Sequence, residues 1–254
     1  VPVLKSFAGG SVFGAAWGRE PAGVLALHGW QRTHRDFEPV FGSAEFTEAH
    51  GAVGVDLFGF GATPAPPGPW GTADYADHLL PLLSDPALAE RVTVVGHSFG
   101  GRVAVRLARL APDRIGRLVL TGVPLLDRQG RHAAPALRYR MGRRLHRMGV
   151  VGDERMEALR QRYGSPDYRA AQGVIRDVFV AVLAEQYTDD MAAIDCPVDL
   201  VWGERDTEVP VEVAERARGV FPNASLRVLP GIGHLTPTEA PGDLRRVVLD
   251  GGAA

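Results

Sequence analysis

The sequence predicts an α/β fold: a mostly parallel, doubly wound sheet with a helical segment inserted late in the chain. Three observations carry this expectation. Short aliphatic runs recur along the 254 residues, stretches with helical spacing lie between them, and the alternation stops between about residues 124 and 191. Runs of four or five apolar residues without alternation suit strands buried on both faces, as in a parallel sheet covered by helices.

The elements follow in order. Strands are expected at 24–27, 52–55, 92–95, 118–120, 198–202 and 226–229, each followed by glycine or a polar turn. Helices are expected at 74–83, 99–111 and 211–220. In 99–111 the apolar side carries Val103, Leu107 and Leu110. Arg102, Arg106 and Arg109 repeat on the other side, a solvated face by this reading, and Pro112 closes the helix. Segment 124–191 is far longer than an ordinary connection and offers helix-like stretches at 136–148, 153–163 and 168–187. The expected organisation is a core built from 1–123 and 192–254, with 124–191 as an inserted helical cap. The proline-rich run 63–69 reads as a stiff surface connection.

Composition narrows the function classes. Apolar residues make up 45% and charged residues 23%, the profile of a globular domain large enough to hold its core without staples. A net charge of −2 supplies no field to draw nucleic acid or an anionic membrane surface. The single cysteine, Cys196, rules out an internal disulfide and a four-cysteine zinc site, and reads as a buried filler. No apolar run reaches membrane-spanning length, and the first twenty residues lack a signal-peptide pattern, so a cytoplasmic location is expected. Of the 28 basic residues 27 are arginine, a bias that reads as codon usage in a GC-rich genome.

The chemistry concentrates at Gly96-His97-Ser98-Phe99-Gly100. The bare G-x-S-x-G pattern arises by chance roughly 0.1 times in a chain of this composition. Here it directly follows one expected strand and opens an expected helix, the setting a nucleophile elbow requires. So sharp a turn strains the serine backbone and needs small neighbours, Gly96 and Gly100, to avoid clashes. The Ser98 hydroxyl then stands at the strand's C-terminal edge beside a helix N-terminus that favours negative charge.

Serine needs a base, and His234 in Gly231-Ile232-Gly233-His234 is the histidine that fits. His28 and His97 are bound up in glycine turns, while His132 and His146 lie in the arginine-rich insertion. The orienting acid is expected at Asp206, just after the strand at 198–202. The 28 residues from Asp206 to His234 hold one helix and one strand, which returns both to the same sheet edge. Backbone N–H groups of Trp30, in the turn His28-Gly29-Trp30, and of Phe99 are the candidate oxyanion donors, with Gly29 keeping its turn tight. Trp30 is also a candidate wall of the acyl pocket. No H-E-x-x-H, Walker sequence or complete G-x-G-x-x-G is present, so neither a metal nor a nucleotide cofactor is expected.

These motifs resemble the α/β-hydrolase fold superfamily over nearly the whole chain. The resemblance rests on the HGW turn, the loop Asp56-Leu57-Phe58-Gly59-Phe60-Gly61, GHSFGG, WGERD and GIGH, with Glu239-Ala240-Pro241 similar to the family's next helix start. It implies a triad in the order Ser98, Asp206, His234, an inserted cap over the nucleophile, and no cofactor. The expected activity is a carboxylesterase-like serine hydrolase, with a small acyl compound and water as its reactants and no nucleic acid or membrane partner. Serine at the nucleophile position argues against the dehalogenases and epoxide hydrolases of the fold, which carry aspartate there. Carbon–carbon bond hydrolases of meta-cleavage pathways resemble the chain in size, but usually show a longer Gly/Pro-rich loop than HGWQRTHRDF. That chemistry and peracid formation are alternatives within the fold; a non-catalytic sensor retaining the pocket is the alternative from another class.

Between residues 128 and 147 stand seven arginines and no acid. Most must form a solvated basic face. Arg138, Arg140, Arg143 and Arg144 are the candidates for one or two anchors to an anionic acyl substrate.

Overall fold

The computed structural model describes residues 2–127, 141, 144–146, 148–163 and 166–250. Its centre is an eight-stranded sheet in the order β1-β2-β4-β3-β5-β6-β7-β8. The strands are β1 (Val3–Phe7), β2 (Val12–Gly18), β3 (Ala22–Leu27), β4 (Gly51–Val55), β5 (Leu88–His97), β6 (Ile115–Thr121), β7 (Val198–Gly203) and β8 (Ala224–Leu229). Pairing is parallel from β4 through β8 and antiparallel at the β1–β2–β4 edge.

All six expected strands are present, each lengthened by one to six residues. The run Val24-Leu25-Ala26-Leu27 shows why they lack alternation. Leu25 and Leu27 enter one hydrophobic cluster with Tyr75, Leu79, Val103 and Val213. Val24 and Ala26 enter the opposite cluster with Phe37, Phe41, Phe46, Leu244 and Val247. Both faces are buried, so both must be apolar.

The principal helices are α1 (Thr72–Leu83), α2 (Phe99–Leu110), α3 (Asp153–Tyr163), α4 (Gly173–Leu183), α5 (Val211–Arg218) and α6 (Pro241–Asp250). Shorter pieces include Pro166–Ala170, Thr188–Ala192 and Thr236–Glu239. The stretch 168–187 is therefore not one helix: the chain breaks after Ala170, and Gly173 takes φ +52° before α4 continues. Of the stretch expected at 136–148, residues 136–140, 142, 143 and 147 lie outside the described residues.

The face assigned to Arg102, Arg106 and Arg109 also needs correction. Arg109 is exposed, but Arg102 and Arg106 are partly buried. Arg102 donates from Nε to the Pro124 carbonyl (3.0 Å) and from Nη1 to the Val182 carbonyl (3.1 Å). Arg106 pairs with Asp190 and donates to the Gln186 carbonyl at 3.0 Å. Both guanidinium groups lie over the Tyr187 ring, at 5.4 and 4.9 Å from its centroid. The polar stripe of α2 thus holds the helical segment onto the sheet. A stripe read only by periodicity looks solvated; the inserted segment covers it with carbonyls and a carboxylate.

Candidate active site

Ser98 stands between β5 and α2 with φ +48° and ψ −113°. This is a region that L-residues avoid, at a cost of order 1–3 kcal/mol. Its neighbours explain how the turn survives. A Cβ at Gly96 would lie 2.5 Å from Gly101 Cα, and one at Gly100 would run into the Leu27 carbonyl. The Ser98 N–H donates to the Thr121 carbonyl at 2.9 Å. The ring of His97 donates from Nδ1 to the same carbonyl at 3.1 Å. Strand β6 therefore grips the strained turn twice.

Three residues after the end of β7, Asp206 meets His234. Its Oδ2 accepts from His234 Nδ1 at 2.8 Å, while Oδ1 accepts the N–H groups of Glu208 (2.9 Å) and Val209 (2.7 Å). The Asp206 side chain is 1% exposed and that of His234 10%. The loop that carries His234 is clamped by Glu239, whose carboxylate accepts the N–H of Gly233 at 2.7 Å and of Leu235 at 3.1 Å. Gly122, at φ +59°, follows the carbonyl that holds Ser98; a Cβ there would lie 2.8 Å from His234 Cε1 and 2.9 Å from Nδ1. The backbone of 121–122 thus touches nucleophile and imidazole alike, which brings the two together at one sheet edge. Burial opposes a charge on His234. Its hydrogen bond with Asp206 and the charges of Asp206, Glu208 and Glu239 outweigh that cost and raise its pKa above the ordinary imidazole value.

The turn after β3 abuts this edge. The Gly100 N–H donates to the His28 carbonyl at 3.0 Å, tying the elbow to His28-Gly29-Trp30. A Cβ at Gly29 would lie 2.9 Å from His97 Cδ2, so the two turns have room to meet only without a side chain there. Trp30 and Phe99, the candidate oxyanion donors, pack ring to ring at 5.2 Å, edge to face. Trp30 also meets Phe60 at 5.1 Å and Phe179, from α4, at 5.0 Å. Its indole N–H is buried without a partner. An aromatic wall therefore stands on the oxyanion side, with α4 contributing one ring.

His28 and His97 are fully buried and make no match for a base. Burial lowers the pKa of His28 to about 4. Burial, then the charge of His234, lowers that of His97 to about 3. His28 is a strut: it donates from Nδ1 to the Gly29 carbonyl at 2.7 Å and accepts the Leu57 N–H on Nε2 at 2.9 Å. The next loop is held by Asp56, which accepts from the N–H and Nδ1 of His34 at 2.9 and 2.8 Å and from the Ala62 N–H at 3.0 Å.

A cleft of about 430 Å³ opens beside the turn after β3, lined by Gln31, Arg32, Phe60, Gly61, Gln172 and Ile175. Arg32 is taken up there by a two-pronged bond to Asp36, both distances 2.7 Å. A larger cavity of about 520 Å³ lies against β1 and β2, beside His34 and Asp56, and includes no triad residue. Of the arginines expected as anchors, Arg138, Arg140 and Arg143 lie outside the described residues, and Arg144 is exposed. Cys196 is half-buried, and burial raises its thiol pKa. Among the described residues no three His, Cys, Asp or Glu side chains converge as a metal site needs, and no helix is long and apolar enough to cross a membrane.

Sequence reasoning missed Gly122, Glu208 and Phe179. Each acts through a neighbour distant in sequence, and none sits in a motif that marks its role. Glu239 was visible only as a helix start, not as the clamp on the histidine loop.

Comparison with known proteins identifies the family. A family model described as the alpha/beta hydrolase family matches residues 24–247. A 2-hydroxy-6-oxononadienedioate/2-hydroxy-6-oxononatrienedioate hydrolase of Cupriavidus pinatubonensis is 26% identical, over 89% of this chain and 85% of its own. A 2-hydroxymuconate semialdehyde hydrolase of Pseudomonas putida is 29% identical, over 82% of this chain and 78% of its own. Two solved structures share the fold. A thermophilic esterase from Thermogutta terrifontis superposes with a TM-score of 0.68 at 24% identity, covering 98% of this chain and 97% of the other. A 2-hydroxy-6-oxo-6-phenylhexa-2,4-dienoate hydrolase from Rhodococcus gives 0.72 at 20% identity, covering 100% and 99%. The chain belongs to the alpha/beta hydrolase family.

Proposed function

We propose that this alpha/beta hydrolase is a serine hydrolase that cleaves a carboxylic ester or related acyl compound through an acyl-enzyme. The observation that carries the reading is the strained Ser98 elbow sharing the 121–122 backbone with an Asp206-oriented His234. Asp206 accepts the Nδ1 proton, which leaves Nε2 of the neutral ring free as the base. Ser98 Oγ attacks the carbonyl carbon as His234 Nε2 takes its proton. The oxyanion forms beside the helix N-terminus and is met by the N–H groups of Trp30 and Phe99. His234 returns the proton to the leaving oxygen, the ester bond breaks, and a water activated by the same nitrogen releases the acid. The aromatic wall of Trp30, Phe60, Phe99 and Phe179 suits an apolar acyl chain, and segment 124–191 acts as a cap whose α4 closes that wall.

A second reading is favoured by the curated relatives described above, both named as hydrolases of dienedioate or semialdehyde compounds. The same nucleophile and oxyanion donors would serve cleavage of a carbon–carbon bond beside a ketone. A substrate panel of p-nitrophenyl esters, lactones and vinylogous diketones separates the two, run beside labelling with a fluorophosphonate. The ester reading expects labelling at Ser98 and ester turnover that falls about 10⁴-fold or more in Ser98→Ala, with the fold intact by circular dichroism. Turnover of diketones without esters selects the second reading. Near-normal turnover in folded Ser98→Ala overturns both.

A further inference from the structure

The carboxylate of Glu208 lies 3.5 Å, through Oε2, from His234 Nε2. That nitrogen is the one that must hand its proton to the leaving group, so the departing alcohol has to sit within hydrogen-bond reach of it. We propose that Glu208 sets the charge preference on the leaving-group side, favouring esters whose alcohol part carries an ammonium group over those carrying a carboxylate. The inference rests on the acyl-transfer reading and names the substrate class that it leaves open.

Glu208 is not placed there by a free loop. Its N–H is bound by Asp206 Oδ1, and the Val209 N–H is bound by the same atom, so the acid that orients the imidazole also shapes the turn that presents Glu208. The other carboxylates facing His234 are spoken for. Asp206 holds Nδ1, and Glu239 holds the N–H groups of Gly233 and Leu235. From β5, the element packed against the ring, His97 faces it as a neutral imidazole 4.9 Å away, centroid to centroid. Arg32, whose charge reaches His97, is paired with Asp36. The wall beside Nε2 is therefore acidic. With 68% of its side chain exposed, Glu208 also meets solvent, so its effect is moderate and screened by salt.

The test uses one acyl group esterified to choline, to its uncharged tert-butyl isostere, and to an alcohol of the same length ending in carboxylate. In the parent, kcat/KM should fall in that order, by about tenfold from first to last at low salt, and the spread should narrow at high salt. Glu208→Gln should compress the spread to about twofold, and Glu208→Lys should reverse the order. Removing the carboxylate should also move the acid limb of the pH profile to lower pH, because one of the charges that favour the imidazolium is gone. A flat or inverted order in the parent, or a spread that Glu208→Gln leaves intact, overturns the inference. If none of the three esters turns over, the acyl-transfer reading is what fails. The charge preference is then read by calorimetry from binding of the same compounds to parent and Glu208→Gln. Equal affinities for all three in the parent, or a parent preference that the variant retains, overturn it separately; a parent preference for choline that the variant loses upholds it.

Discussion

The two walls beside Ser98 are built from opposite materials. On the side of the His28-Gly29-Trp30 turn stand four aromatic rings and the buried imidazole of His28, and His97 reaches from that turn to His234, both imidazoles held neutral by burial. On the other side stand Asp206, Glu208 and Glu239, which together raise the pKa of a third imidazole, His234. One residue type thus does two jobs. Burial with the ring bonded only to backbone groups keeps His28 and His97 neutral; lesser burial with a carboxylate on Nδ1 makes His234 ionise more readily than a free imidazole. The difference lies in the neighbours, and each wall can be altered separately.

The largest expected effect comes from breaking the carboxylate wall at its centre. Asp206→Asn retains the shape but no longer selects the tautomer with Nε2 free, and kcat should fall about 10⁴-fold. Steady-state kinetics on the folded variant decide this; a loss under tenfold would place the orienting acid elsewhere.

The neutral wall predicts acid sensitivity. His28 and His97 bind protons in the unfolded chain near pH 6.5 but in the fold only near 4 and 3. Between those values the unfolded state holds more protons, so stability falls as pH drops. The slope is about 1.4 kcal/mol per pH unit for each imidazole. His234 works in the opposite sense: its raised pKa contributes stability that is full below about pH 6.5 and lost as pH rises through its folded value. Urea midpoints measured from neutral to mildly acidic pH should show the decline, and His97→Asn should remove one proton from it. An unchanged slope in that variant contradicts the neutral-strut reading.

A smaller loss tests the clamp. Glu239→Ala leaves the Gly233 and Leu235 N–H groups without their acceptor and lets the His234 loop drift, which should cost about 10- to 100-fold in kcat with little change in KM. Glu239→Gln keeps one of the two acceptor oxygens but sets its NH2 against the other N–H, so it should recover only part of that loss. A loss under twofold in Glu239→Ala contradicts the clamp.

The smallest effect belongs to the aromatic wall. Phe179→Ala removes the one ring that α4 contributes, so KM for long or aromatic acyl groups should rise several-fold while acetyl esters change little. Equal effects on both would detach α4 from acyl recognition.

The candidate site was legible because its parts are local. A strand, a strained glycine-flanked serine and a helix are consecutive in sequence, and the ends of β7 and β8 deliver Asp206 and His234 by the same short-range logic. Strands β1 and β2 escaped the reading for an equally local reason. β1 is a largely exposed edge strand, and β2 is built around Gly14, Ala15 and Ala16, whose composition carries no strand signal. Gly14 is small because β4 packs against it, with a Cβ there running into the Gly54 carbonyl.

By itself the sequence determined six of the eight strands, the strand–turn–helix setting of Ser98 and the three residues proposed as a triad, since apolar runs and turn chemistry act over a few neighbouring positions. Tertiary structure decided what surrounds them: that Arg102 and Arg106 hold the inserted segment, that Thr121 and Gly122 join nucleophile to imidazole, and that Glu208 faces Nε2. Those outcomes depend on contacts between residues 23 to 112 positions apart, and such contacts leave no periodicity to read.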